Sequence, residues 1–222
     1  MQPLFNEFIT YLDQHDKDKC VQLVTNKLAE GTVDIVSLYE KIIVPSQQVG
    51  TNSFSLMPLS IWEEHIRTSI IRTVIECCYP FAVRERDAKY HSSFRGRVIV
   101  ACPPGELHEI GARLVADYFT LCGFKADFIG ANTPLEDIVE SIRAIQPRLV
   151  ALSVTNYFNL VAARSTVEKI LRLKNQLAFQ LILGGIACQD NLLTCQQMGA
   201  DRLLNSFGEI RKLVEESPDV LP

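Results

Sequence analysis

The sequence predicts an α/β chain in two parts, an N-terminal bundle of four helices followed by a five-stranded, doubly wound parallel sheet. Three observations carry this reading. Up to about residue 88, apolar residues recur at three- and four-residue steps, the period of a helix face. From residue 97 onward, short apolar runs such as Val98–Cys102 and Leu149–Val154 alternate with helix-length stretches, the pattern of βα units. Between the two, residues 89–96 (Lys-Tyr-His-Ser-Ser-Phe-Arg-Gly) turn polar. The predicted division is a helical bundle over 1–88, a linker over 89–96 and a sheet domain over 97–222.

In the first part, Leu4, Phe5, Phe8, Ile9 and Leu12 mark one helix, and Val21, Val24 and Leu28 a second. A third carries Ile35, Leu38, Tyr39, Ile42 and Ile43 between Val33 and Val49. Pro45 interrupts it, because proline lacks an N–H and clashes with the preceding turn, so a kink or break is predicted near Val44. Residues 50–58 read as a loop. The fourth helix starts near Pro58 or Ser60 and runs through Ile61, His65, Ile66, Ile70 and Val74. Helices with short connections pack as a small bundle.

In the second part, strands are predicted at Arg97–Cys102, Ala126–Ile129, Leu149–Val154, Leu181–Leu183 and Arg202–Leu204. Helices fill the intervals at Glu106–Cys122, Leu135–Ile145, 160–174, 188–198 and 207–216, with Pro134 suited to a first turn. Right-handed crossovers then give a flavodoxin-like, Rossmann-like sheet of order 2-1-3-4-5.

Composition excludes several classes of function. Apolar residues are 47% of the chain and charged residues 22%, enough for a folded core. No apolar run approaches the ~18 residues of a membrane span. The N-terminus has no basic and apolar leader pattern, which predicts no signal peptide and a cytoplasmic protein. Net charge is −4. Residues 1–88 hold 8 Lys+Arg against 12 Asp+Glu, and the rest balances at 14 against 14. There is no basic face for direct nucleic-acid binding. Seven cysteines without a CxxC pair fit neither a disulfide framework nor a zinc site and read as reduced core residues.

Ligands of such a sheet bind beyond the carboxyl ends of the strands. Three strand ends converge there: Cys102-Pro-Pro-Gly-Glu106-Leu107-His108-Glu-Ile-Gly111, Ser153-Val154-Thr155 and Gly184-Gly185. Taken singly, each has a plain structural use, a helix cap or a tight turn. GxGxxG and the Walker loop are absent, so no nucleotide fingerprint is present. One histidine with one carboxylate is a poor zinc site. It suits a metal that brings its own equatorial ligands, with the carboxylate fixing the imidazole tautomer.

These three segments resemble the DxHxxG, SxL and GG signature of base-off, His-on cobalamin-binding domains. The resemblance implies cobalamin as cofactor, as adenosylcobalamin or methylcobalamin, with His108 as lower axial cobalt ligand and Glu106 hydrogen-bonded to it. Leu107, Gly111, Ser153, Val154, Thr155, Gly184 and Gly185 would line the site. Gly111 would admit the nucleotide tail, and Gly184-Gly185 would do so where any Cβ would clash with that tail. Glu106 in place of Asp, and Thr155 as third residue of the SxL motif, are similar to the light-sensing cobalamin regulators of the CarH type.

The helical half resembles the cap over the upper corrin face in methionine synthase and the CarH type. CarH-type caps carry Trp, nine residues, then Glu-His. Here Glu64-His65 is kept, and the Trp position falls on Phe54 with residues 55–63 between. The following His position is Ser55, so a second histidine cannot reach cobalt from there. Phe54, Glu64 and His65 are therefore cap candidates, whereas Trp62 reads as a core aromatic.

The resemblance implies a cobalamin-binding photoreceptor without a DNA-reading module. It would act on transcription through a protein partner, as AerR-type antirepressors do, and homo-oligomerisation stays open. The alternative is a corrinoid methyl carrier, whose partner would be a methyltransferase. A storage or delivery protein is a third possibility.

Overall fold

The structure, a computed structural model, describes residues 1–49, 59–90 and 93–216. The chain forms two compact units, Met1–Lys89 and Tyr90–Pro222.

In the first unit, α1 (Gln2–Asp13) and α2 (Lys17–Ala29) are joined by a turn at His15, whose φ is +55°. Asp16 caps α2 by accepting from the Lys19 N–H at 3.0 Å. α3 (Ile35–Leu38) then widens into a π-helical stretch, Tyr39–Ile43, which passes into α4 (Val44–Gln48). The helix does not break at Pro45. The π-helical residues immediately before it loosen the ladder where the proline has no N–H to give. α5 (Ile61–Glu85) starts at Ser60, whose N–H donates to the Glu63 carboxylate at 2.9 Å, half of a capping box. It buries Ile70, Ile71, Val74, Ile75, Cys78 and Ala82, and the other helices bury Phe8, Leu12, Val24, Leu38 and Ile42. Arg67 is buried too, paired with Asp13 of α1. Beyond α5 the helix continues as a π-helical turn over Arg86–Tyr90, so helical structure runs into the stretch expected to be linker.

In the second unit the five parallel strands are β1 (Arg97–Ala101), β2 (Lys125–Gly130), β3 (Leu149–Ser153), β4 (Gln180–Gly184) and β5 (Arg202–Leu203). Their order is 2-1-3-4-5, as predicted. β3 is buried at every position and pairs with β1 at Val98↔Leu149 and with β4 at Ser153↔Gly184. A strand covered on both faces reads as an unbroken apolar run, which is why it was legible. The helices are α6 (Ile110–Leu121), α7 (Leu135–Ile145), α8 (Leu160–Leu173), α9 (Ile186–Asp190), α10 (Leu192–Gln196) and α11 (Phe207–Glu216).

Two details differ from expectation. α6 begins at Ile110 rather than Glu106, because residues 102–109 form a loop organised around the Glu106 side chain. The single helix predicted over 188–198 is two short ones, split at Asn191, whose φ of −129° and ψ of 49° leave the helical region. Among the described residues, no helix is long and apolar enough to cross a membrane.

Candidate functional site

Glu106 is the centre of the carboxyl edge. Its side chain is fully buried, and both oxygens are occupied. Oε1 accepts from the His108 backbone N–H at 3.0 Å and meets His108 Nδ1 at 2.6 Å. Oε2 accepts from the Thr155 and Asn156 N–H groups, each at 2.9 Å. One carboxylate thereby ties the loop after β1 to the loop after β3. Burial alone would raise its pKa. The hydrogen bonds from the His108 ring, the Asn156 and His108 N–H groups and the Asn159 side chain outweigh burial and hold it down at about 2.

An ionised carboxylate can only accept, so His108 must present Nδ1–H to it. In the neutral imidazole this leaves the lone pair on the other ring nitrogen, Nε2, the form in which histidine ligates a metal. The side chain of His108 is 55% exposed. A buried anion thus orients an exposed imidazole, the arrangement that fixes tautomer and ring direction in metal-binding histidines. Nearby, the Cys102 thiol contacts the His108 carbonyl at 3.7 Å. Burial, helped by the charges of Glu106 and Glu109, pushes its pKa up to about 12, so it is no nucleophile.

The other predicted residues of this unit gather around the same edge. Leu107 is 70% exposed beside His108, an apolar side chain in the open. Ser153, almost buried, closes β3 opposite Gly184. Val154 is buried, and its N–H donates to the Gly184 carbonyl at 2.9 Å. Thr155 is half-buried and gives its N–H to Glu106.

The glycines divide into two kinds. A Cβ on Gly184 would lie 2.3 Å from the Leu204 carbonyl oxygen, and one on Gly185 2.3 Å from that of Val154. Gly185 also sits at φ +100°. The chain's own backbone therefore demands glycine at both, a different clash from the one expected with a nucleotide tail. Gly111 is the opposite case. It lies in the first turn of α6, and a Cβ there would meet nothing within 4 Å. Neither packing nor backbone conformation requires a glycine in this helix, and its position faces open space.

Three asparagines belong to the edge and were not singled out from sequence. Asn156 and Asn159 bond Glu106, by backbone and by side chain respectively. Asn132, at φ +50°, gives its N–H to the Glu106 carbonyl at 2.8 Å and accepts from the Gly105 N–H at 2.8 Å. Their signal was position: each follows a strand end, where asparagine supports turns.

In the first unit, Glu64 and His65 lie exposed on the opening turns of α5. Trp62 is not a core residue. It is 59% exposed, with its ring edge-on to His15 at 5.9 Å between centroids. Phe54 and Ser55 lie outside the described residues. No cluster of three or more metal-ligating side chains occurs among the described residues.

Residues 96–212, more than half of the chain, match the model of the B12 binding domain. The HTH-type transcriptional repressor CarA of Myxococcus xanthus is 26% identical over 177 residues, covering 78% of this chain and 55% of the repressor. Trimethylamine corrinoid protein 1 of Methanosarcina acetivorans is 25% identical over 138 residues, 62% of either chain. The chain spans less than two thirds of the length of these curated relatives. Among solved structures, the monomethylamine corrinoid protein of Methanosarcina barkeri shares the fold. Its TM-score is 0.78 over 97% of this chain and 98% of that one, at 18% identity.

Proposed function

The chain belongs to the B12-binding domain family, and from that premise we propose that it holds cobalamin base-off, with His108 as the lower axial ligand. The observation that carries this is the pair at the end of β1, an exposed imidazole whose Nδ1 is held at 2.6 Å by a buried carboxylate. The residues fit the group. Nε2 of His108 supplies one nitrogen donor, and cobalamin supplies the equatorial ones. The open space at Gly111 would take the nucleotide tail. Ser153, Val154 and Thr155 would border the slot for the displaced base, and exposed Leu107 would lie against the corrin. Phe54, Glu64 and His65 would belong to the cap over the upper face.

The output we propose is regulatory. Bound as adenosyl- or methylcobalamin, the group supplies a cobalt–carbon bond that light breaks. Glu106 would keep His108 directed at the metal, and a changed cap contact would alter binding to a protein partner in transcription control. Support comes from the Glu106 and Thr155 variants of the motif, and from similarity to a repressor over 78% of this chain. A methyl-carrier reading has its own support in Phe54, which stands where light-sensing caps carry Trp. Dark reconstitution with adenosyl- and methylcobalamin, followed by green light and size exclusion, separates the two. The sensor predicts a light-dependent spectrum with a changed elution volume. Binding of methylcobalamin with no change of elution after light, and transfer of its methyl group by a partner methyltransferase, would replace it with the carrier.

A further inference from the structure

Cys188 and Cys195 lie seven residues apart, in α9 and α10. In one unbroken helix that spacing is about 10.5 Å along the axis, at 1.5 Å per residue. A disulfide needs Cα atoms about 4.4–6.8 Å apart, so a continuous helix would keep the two from bonding. Asn191, at φ −129° and ψ 49°, separates α9 from α10, and the two Sγ atoms come to 2.8 Å. Both thiols are free. We infer that Cys188 and Cys195 are a redox-active dithiol, which hydrogen peroxide closes to a disulfide and a thiol reductant reopens.

Both side chains are buried, at 1% and 0% exposed, in the apolar core of the sheet unit with Ala187 and Met198. Burial and the neighbouring thiol push the pKa of Cys188 well above its ordinary value. The thiolate is the nucleophile, so Cys188 is unreactive while it stays covered. Uncovering it is a local event. α9 and α10 have five residues each, too few to be stable helices alone, and Leu192 and Leu193 between the cysteines are exposed. Such segments open at lower free energy than core strands.

In the opened segment one thiol loses its proton and its sulfur attacks a peroxide oxygen. The O–O bond breaks, an S–O bond forms to give a sulfenic acid, and the departing hydroxide leaves with that proton as water. The second sulfur then attacks the sulfenic sulfur. The S–S bond forms, the S–O bond breaks, and hydroxide leaves with the second thiol's proton as another water. Two electrons pass from the sulfurs to the peroxide oxygens. Contact between the two thiols directs the sulfenic acid to the disulfide before a second peroxide can oxidise it further. The bond acts on the carboxyl edge, because the Cys188 N–H donates to the Gly185 carbonyl at 3.0 Å and the Ala187 N–H to the Val154 carbonyl at 3.2 Å. Closing it holds the turn after β4 shut. No step involves cobalamin, so this inference stands or falls apart from the corrinoid reading.

The test treats the reduced, cobalamin-free full chain with hydrogen peroxide, alkylates the remaining thiols in denaturant and digests with trypsin. Both cysteines fall in one tryptic peptide, Asn175–Arg202. It should appear unalkylated and two hydrogens lighter than the reduced peptide, and dithiothreitol before alkylation should restore both thiols. Oxidation should raise Tm by about 5 °C, as expected for closing a short loop, and Cys188→Ala and Cys195→Ala should each abolish the rise. The peptide measurement uses wild-type protein alone, so it decides the matter even if a variant fails to fold. Full alkylation of both cysteines after peroxide, sulfinic acid at either in place of the S–S bond, or an undiminished rise in Tm in either variant would overturn the inference.

Discussion

Glu106 satisfies five N–H donors from four residues with one buried carboxylate, and so fixes both the loop that carries His108 and the loop that follows β3. Its pKa is held at about 2, below the ordinary 4.5. A group depressed on folding contributes stability that is complete above its unfolded value and is lost as pH falls through the folded one. Stability should therefore fall between about pH 4.5 and pH 2, by on the order of 3 kcal/mol from this group. Glu106→Gln cannot accept at all five places. It should lose on the order of 2–3 kcal/mol at pH 7 and lose the acid dependence with it. Urea midpoints at pH 7, 4.5 and 3 check both; parallel pH profiles in variant and wild type would contradict this role. On the proposed reading, the same substitution also weakens cobalamin binding by roughly 10–100-fold, as other second partners of metal-bound histidines do.

At the scale of elements, glycines that look alike in sequence separate into two roles. Gly185→Ala should be strongly destabilising, because its Cβ would enter the Val154 backbone and its φ of +100° strains any side chain. Gly111→Ala should leave the apoprotein as stable or more so, by up to about 1 kcal/mol, since alanine favours helix and nothing obstructs it. On the proposed reading it should nevertheless weaken cobalamin binding. Thermal melts of both apoproteins with a cobalamin titration test the pair, and wild-type affinity in Gly111→Ala would remove this glycine from the site. The sheet, its order and the bounds of α7 were legible because apolar periodicity and Pro134 are local signals. The start of α6 was not, because what delays it is a carboxylate bonded to residues about fifty positions away. The π-helical stretch before Pro45 and the split at Asn191 were missed for a related reason. A sequence marks where a helix is stressed, but packing decides how the stress is relieved.

For the molecule as a whole, the segments after β1, β3 and β4 could be placed together from sequence because strand ends of such a sheet share an edge, whereas the roles of Glu106, His108 and Gly111 came from the resemblance. The asparagines that complete the edge were not legible, since asparagine after a strand is common turn chemistry. Trp62 is the one tryptophan of the chain, exposed in the first unit. On the proposed cap reading, its emission should fall when cobalamin binds. His108→Ala should then require more cobalamin for the same loss, and an unchanged emission on saturation would contradict the cap proposal. The most direct test of the central claim is electron paramagnetic resonance of the cob(II)alamin complex prepared with uniformly ¹⁵N-labelled protein and unlabelled cofactor. Ligation by His108 predicts that each cobalt line splits into a doublet from the spin-½ protein nitrogen, and that His108→Ala abolishes it. A triplet from the spin-1 nitrogen of the cofactor's own base would contradict the axial assignment.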